Sequence, residues 1–257
     1  MWDEVRGLSV HGRVSASVAN GTPIVFVHGL GVSLRYMEPT MAWLAPSFSV
    51  AGLDLPGFGR SGTPPHPLDV PRLADTLARW LDARGIGPAI FVGNSFGCQV
   101  IVECVTAMPG RARGLVLNAP TMDPAHRTIL GQLLRVIADI PREPVGLAWI
   151  VARDYVRAGP RTLFATLRYG LANHIEERLP AVSVPALIVC GARDPVVTVR
   201  WASEVARLVG LDVHGAPGAT LQCVADAAHA LPYDDPATFG AIIRDFATSG
   251  APRAPHA

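Results

Sequence analysis

The chain has 257 residues, 49% of them hydrophobic and 17% charged, and 22 Lys plus Arg against 21 Asp plus Glu give a net charge of +1. That composition supplies a large apolar core and excludes a disordered chain. The even charge balance provides no field for nucleic acid or an anionic membrane surface, and no run reaches the eighteen or so apolar residues that a membrane span needs.

The N-terminus, Met1-Trp2-Asp3-Glu4-Val5-Arg6, lacks the basic and apolar regions of a signal peptide, so a cytoplasmic location is expected. Two strands, 5–10 and 13–18, are predicted first, antiparallel and joined by a turn at His11-Gly12. Short apolar runs follow at 24–27, 48–53, 89–92, 115–118, 186–190 and 221–224. Each has strand length and no alternation, the pattern of a parallel strand buried on both faces. Helical stretches separate them. Residues 68–84 put Leu73, Leu77, Trp80 and Leu81 on one face, and further helices are predicted over 95–108, 200–209 and 236–248.

This alternation predicts an α/β fold, a mostly parallel eight-stranded sheet flanked by helices. Residues 121–180 interrupt it. They contain no strand pattern and several prolines, and are read as a helical cap inserted into a core of 1–120 and 181–250, all within a single domain of 1–257. The Ala-Pro-rich tail, 251–257, is expected to fray. Cys98, Cys104, Cys190 and Cys223 form no C-x-x-C pair and are expected to be buried free thiols.

The strongest chemical signal is Gly93-Asn94-Ser95-Phe96-Gly97, a G-x-S-x-G motif between a predicted strand and a predicted helix. The glycines let the chain turn tightly enough to push the Ser95 hydroxyl out of the sheet. A hydroxyl is a weak nucleophile and needs a base. His229, after the last strand, is the candidate. His11, His66, His126, His174, His214 and His256 are read as ordinary surface residues, and His28 as a structural one. Asp194, after strand 186–190, is the candidate orienting acid, with Asp123 as a weaker rival. The order Ser, Asp, His places all three at the C-terminal edge of the sheet, where open α/β sheets bind ligands. The glycine-bearing loop His28-Gly29-Leu30-Gly31 would supply an oxyanion hole from the backbone N–H groups of Leu30 and Phe96.

Together these motifs resemble the α/β-hydrolase superfamily over nearly the whole chain. Residues 22–29 look like its third strand and oxyanion loop, and 184–195 like its acid-bearing strand and loop. Asp54-Leu55-Pro56-Gly57-Phe58-Gly59-Arg60-Ser61 is similar to its D-x-x-G-x-G-x-S turn, a structural element bordering the pocket. Within the superfamily the chain looks most like small bacterial hydrolases with a helical cap: esterases, lactonases and carbon–carbon hydrolases. The resemblance implies a serine hydrolase acting through an acyl-enzyme on an ester, lactone or related carbonyl compound of small to medium, apolar character.

No metal or organic cofactor is implied. The expected partner is a small-molecule substrate, and self-association as a homodimer stays open. Gly29, Trp149, Tyr155 and Phe164 are the candidate substrate contacts. Arg153, Arg157, Arg161 and Arg168 are candidates for holding an acidic substrate. Three alternatives stand beside ester hydrolysis: carbon–carbon cleavage of diketo acids, acyl transfer on the same residues, and a ligand-binding protein with little turnover.

Overall fold

The computed structural model describes residues 1–15, 21–210 and 218–249. Strands β1 (Trp2–Val5) and β2 (Leu8–Val14) open the chain, then β3 (Ile24–Val27), helix α1 (Glu38–Leu44) and β4 (Val50–Leu53). Helix α2 (Val70–Ala83), β5 (Ala89–Asn94), α3 (Phe96–Ala107) and β6 (Ala112–Asn118) follow. Helices α4 (Ile129–Asp139), α5 (Val145–Ala172) and α6 (Ile175–Arg178) intervene before β7 (Ala186–Gly191). The chain then forms α7 (Val199–Leu208), β8 (Ala219–Val224), α8 (Leu231–Asp234) and α9 (Pro236–Ser249).

The sheet has eight strands in the order β1-β2-β4-β3-β5-β6-β7-β8. Among the described strands β2 alone opposes the rest: its pairings with β1 and β4 are antiparallel, and those from β4 to β8 are parallel. The uninterrupted apolar runs are explained by two cores, one on each face. In β3, Ile24 and Phe26 join one core while Val25 and Val27 join the other; in β5, Ile90 and Val92 are divided from Ala89 and Phe91 in the same way. Helices α2, α3 and α7 cover one face through Leu77, Trp80, Val100, Ile101 and Trp201. Helices α1, α8 and α9 cover the other through Met41, Leu231, Phe239 and Ile243. Asp69 caps α2, its carboxylate accepting from the Arg72 N–H at 3.0 Å.

Three expectations need correction. The first turn lies at Arg6-Gly7, where both residues have positive φ (51° and 73°), and not at His11-Gly12. Gly12 sits inside β2 because Trp80 packs against it, and a Cβ there would come within 2.4 Å of the indole. His11 is buried rather than a surface residue, its Nδ1 being 2.9 Å from Asp54 Oδ2. Cys98, Cys104 and Cys190 are buried as expected, but Cys223 is exposed because β8 is an edge strand. The end of the expected strand 13–18, His214, His256 and the tail lie outside the described residues.

Between β6 and β7 the structure contains helices and no strand, as the prolines suggest. Helix α5 is broken at Gly159-Pro160: Gly159 takes φ 74°, ψ 158°, and Pro160 brings no N–H to the ladder. Among the described residues no helix is long and apolar enough to cross a membrane.

Candidate active site

β5 and α3 meet at Ser95, which is held at φ 56°, ψ −122°, a conformation that costs a non-glycine residue of order 1–3 kcal/mol. Two neighbours explain why the turn can be this tight. A Cβ on Gly97 would lie 2.2 Å from the Val27 carbonyl oxygen, and one on Gly93 would lie 3.0 Å from the Cys98 nitrogen. The Ser95 N–H donates to the Asn118 carbonyl at 2.9 Å, anchoring the elbow to β6. The side chain makes no capping bond to α3. It opens instead into a cavity of about 360 Å³.

His229 lines the same cavity, on the loop between β8 and α8. Its Nδ1 lies 2.8 Å from Asp194 Oδ2. A carboxylate can only accept, so Nδ1 carries a proton, and in the neutral form of the ring Nε2 is free to receive another. Asp194 is fully engaged: its Oδ1 accepts from the Val196 and Val197 N–H groups at 2.7 and 3.0 Å, and its side chain is buried. The two loops are locked together. Arg193 N–H donates to the Ala227 carbonyl at 3.0 Å, and a Cβ on Gly191 would lie 2.3 Å from that same oxygen. Burial pulls the His229 imidazole toward the neutral form, but the adjacent Asp194 carboxylate, with Asp139 and Glu143 farther off, outweighs it and lifts the pKa to about 9. Asp123 is not paired with the imidazole; it caps a short turn, accepting from the Ala125 N–H.

Gly29, Leu30 and Phe96 all line the cavity. Neither the Leu30 nor the Phe96 N–H donates to a turn or loop carbonyl among the described residues. His28 is structural, as expected. Its Nδ1 donates to the Gly29 carbonyl at 2.8 Å and its Nε2 accepts from the Leu55 N–H at 2.9 Å. Burial lowers its pKa, which suits a neutral ring fixed in one tautomer. Asp54 accepts from the Leu34 and Arg60 N–H groups and from His11. It borders a separate polar cavity of about 100 Å³ rather than the one at Ser95.

The cap contacts are only partly as expected. Tyr155 lines the cavity, together with Leu147, Ala148, Val151 and Ala152 from the same face of α5. Trp149 and Phe164 do not; they are 77% and 53% exposed. Trp149 lies off the face defined by 147, 148, 151, 152 and 155. Phe164 comes after the Gly159 break, where Leu167 points a different row inward. None of Arg153, Arg157, Arg161 and Arg168 lines the Ser95 cavity, and the first two border the polar one.

Several residues were not singled out from the sequence. The Gly29 N–H donates to the Tyr36 hydroxyl at 3.2 Å, and that hydroxyl donates to Asn94 Oδ1 at 2.5 Å. Asn94 Nδ2 in turn donates to the His229 carbonyl at 3.2 Å. One chain of bonds therefore ties the Gly29 loop, the elbow and the histidine loop. Asp139 and Glu143 line the cavity from the cap, and Glu143 Oε1 accepts from the Ala230 N–H at 2.9 Å. No sequence period marks these residues, because their partners lie far along the chain.

A family model described as the alpha/beta hydrolase family matches residues 24–242. The poly(3-hydroxyalkanoate) depolymerase of Ectopseudomonas oleovorans is 28% identical over 79% of this chain, a stretch that spans 61% of that protein. A pimeloyl-[acyl-carrier protein] methyl ester esterase of Neisseria meningitidis is 25% identical over 88% of this chain and 93% of its own. Among solved structures, the enol-lactonase of Burkholderia xenovorans superposes with a TM-score of 0.81 at 24% identity, covering 96% of this chain and 100% of that one. A thermophilic esterase of Thermogutta terrifontis gives 0.81 at 20% identity, covering 98% and 97%. At that identity the two structures speak to the fold. With a family match over most of its length, the chain belongs to the alpha/beta hydrolase family.

Proposed function

We propose that the protein is a serine hydrolase that cleaves an ester, lactone or related carbonyl compound through an acyl-enzyme. The observation that carries this reading is the meeting in one cavity of the strained, uncapped Ser95 and a His229 whose Nδ1 is committed to Asp194. In its neutral form, which gains population as pH rises toward the imidazole pKa of about 9, His229 takes the Ser95 proton at Nε2 as Oγ attacks the carbonyl carbon. The Leu30 and Phe96 N–H groups hold the oxyanion; removing one such donor typically costs about 3–4 kcal/mol. His229 then protonates the leaving group, and water releases the acyl group by the reverse sequence. Asp194 keeps the tautomer and stabilises the imidazolium.

The cavity walls, Leu30, Val32, Met122, Leu147, Val151 and Leu167, suit a small to medium apolar group. The names of two relatives, a depolymerase and a methyl ester esterase, support ester chemistry. Hydrolysis of p-nitrophenyl butyrate and labelling by a fluorophosphonate test the reading. Both should be lost in Ser95→Ala while its thermal unfolding stays that of the parent. Undiminished turnover in that variant overturns the mechanism.

A further inference from the structure

The cap contributes two carboxyl groups to an otherwise apolar cavity, and the hydrolytic route uses neither. Asp139 ends α4 and is 8% exposed; Glu143 follows it by one turn. Both line the cavity beside His229. Glu143 Oε1 is occupied by the Ala230 N–H, but Glu143 Oε2 and Asp139 Oδ1 are buried and find no donor among the described groups beyond a proton shared between the two carboxyls. A third cavity atom is in the same position: the hydroxyl oxygen of Thr121, on a residue 4% exposed, is buried without a partner.

Burial, then each carboxyl's influence on the other, raises the Glu143 pKa to about 7; Asp139 is raised as well, by burial and by Asp194. A proton held between the two satisfies one contact and leaves one negative charge. His229 and Arg142 offset part of it. His229 is paired with Asp194, and Arg142 is exposed, with its guanidinium turned to the Ala138 carbonyl. Among the described residues neither Asp139 nor Glu143 forms an ion pair, and no arginine lines the cavity. A buried carboxylate whose counter-charge is shared with Asp194 or turned to solvent is costly, so these atoms suit a ligand that brings positive charge and N–H donors.

We infer that Asp139 and Glu143, with Thr121 beside them, form a subsite for a cationic amine on the substrate and select against carboxylate-bearing substrates. The inference rests on reading this cavity as the substrate site. It also disfavours the diketo acids of carbon–carbon hydrolases, whose carboxylates would face the pair at close range.

The test uses Ser95→Ala, so that binding is read without turnover. Calorimetry compares 3-phenylpropylamine, 3-phenylpropanol and 3-phenylpropionate, which differ in charge and little in size. The amine should bind at least tenfold more tightly than the acid and more tightly than the alcohol. Adding Asp139→Asn and Glu143→Gln, which keep shape and hydrogen bonding, should bring the three within about threefold. Acid binding that equals amine binding, a preference that survives the double substitution, or no binding of the amine at millimolar concentration would each overturn the subsite. Hydrolysis of the neutral p-nitrophenyl butyrate by the parent chain is read separately. Its absence beside intact amine selectivity counts against the hydrolase reading and leaves the subsite standing.

Discussion

Helices α2 and α4 are both amphipathic, yet they are oriented in opposite senses. On α2 the apolar row Leu73, Leu77, Trp80 and Leu81 is buried and the polar row faces water. On α4 the buried residues are Gln132 and Asp139, while Leu130, Leu133, Leu134 and Ile137 are exposed. The difference comes from what lies beneath each helix. Under α2 is a continuous sheet and α3, where apolar burial gains about 25 cal/mol per Å². Under α4 is the Ser95 cavity, which Gln132 and Asp139 line beside the apolar Val136 and Ile140. The core helix buries apolar side chains against packed neighbours; α4 buries two polar ones against open space.

Five substitutions sharpen this contrast. The largest effect on catalysis is expected at the sheet edge. Asp194→Asn should lower kcat by about 10⁴-fold, because the imidazole loses its orienting acceptor; single-turnover kinetics on p-nitrophenyl butyrate reads it. The largest effect on stability is expected in the core. Phe91→Ala removes a fully buried ring and should cost about 3–5 kcal/mol in urea unfolding.

Effects in the cap should be smaller and divided by face. Leu167→Ala, in the cavity wall, should raise KM for the butyrate ester several-fold, whereas Trp149→Ala, well outside it, should leave kcat/KM within about twofold. A Trp149 effect as large as that of Leu167 would break the contrast. The smallest effect concerns pH. The Glu143 pKa in the fold, about 7, lies above its ordinary value of 4.5. The folded state therefore disfavours the charged form, and Glu143 lowers stability progressively as pH rises from about 4.5 to beyond 7. Glu143→Gln keeps an acceptor for the Ala230 N–H and removes that penalty. Its Tm should exceed the parent's by a few degrees at pH 8 and match it at pH 4.

The same contrast explains what the sequence conveyed. Strand positions were legible because a strand covered on both faces must be apolar throughout, as 24–27 and 186–190 are. The placing of Ser95 and His229 on one cavity, with Asp194 beside the imidazole, was legible because local turn chemistry marks each one: a glycine-flanked elbow, an Asp-Pro step after a strand, and a loop histidine before the last helix. Trp149 and Phe164 were assigned to the cavity because an aromatic residue in a cap suggests a wall. Their facing depends on the Gly159 break and on the tilt of α5, which no local pattern encodes. Asp139 and Glu143 escaped notice for the converse reason. Acids four residues apart normally mark a solvated face, and here they mark the interior. His11 was missed because its partner, Asp54, lies 43 residues away.

The insertion leaves from the end of β6 and returns at the start of β7, and these two strands are neighbours, with Leu115 opposite Ala186. Because the two strands run parallel, the connection leaves at the edge that carries Ser95 and returns at the opposite edge, so its helices must travel back along the length of the sheet. On that path Glu143 accepts from the Ala230 N–H, one residue past His229, and Asp139 and Glu143 help raise the imidazole pKa. A change in the inserted helices is therefore felt as charge at the sheet edge, not only as shape.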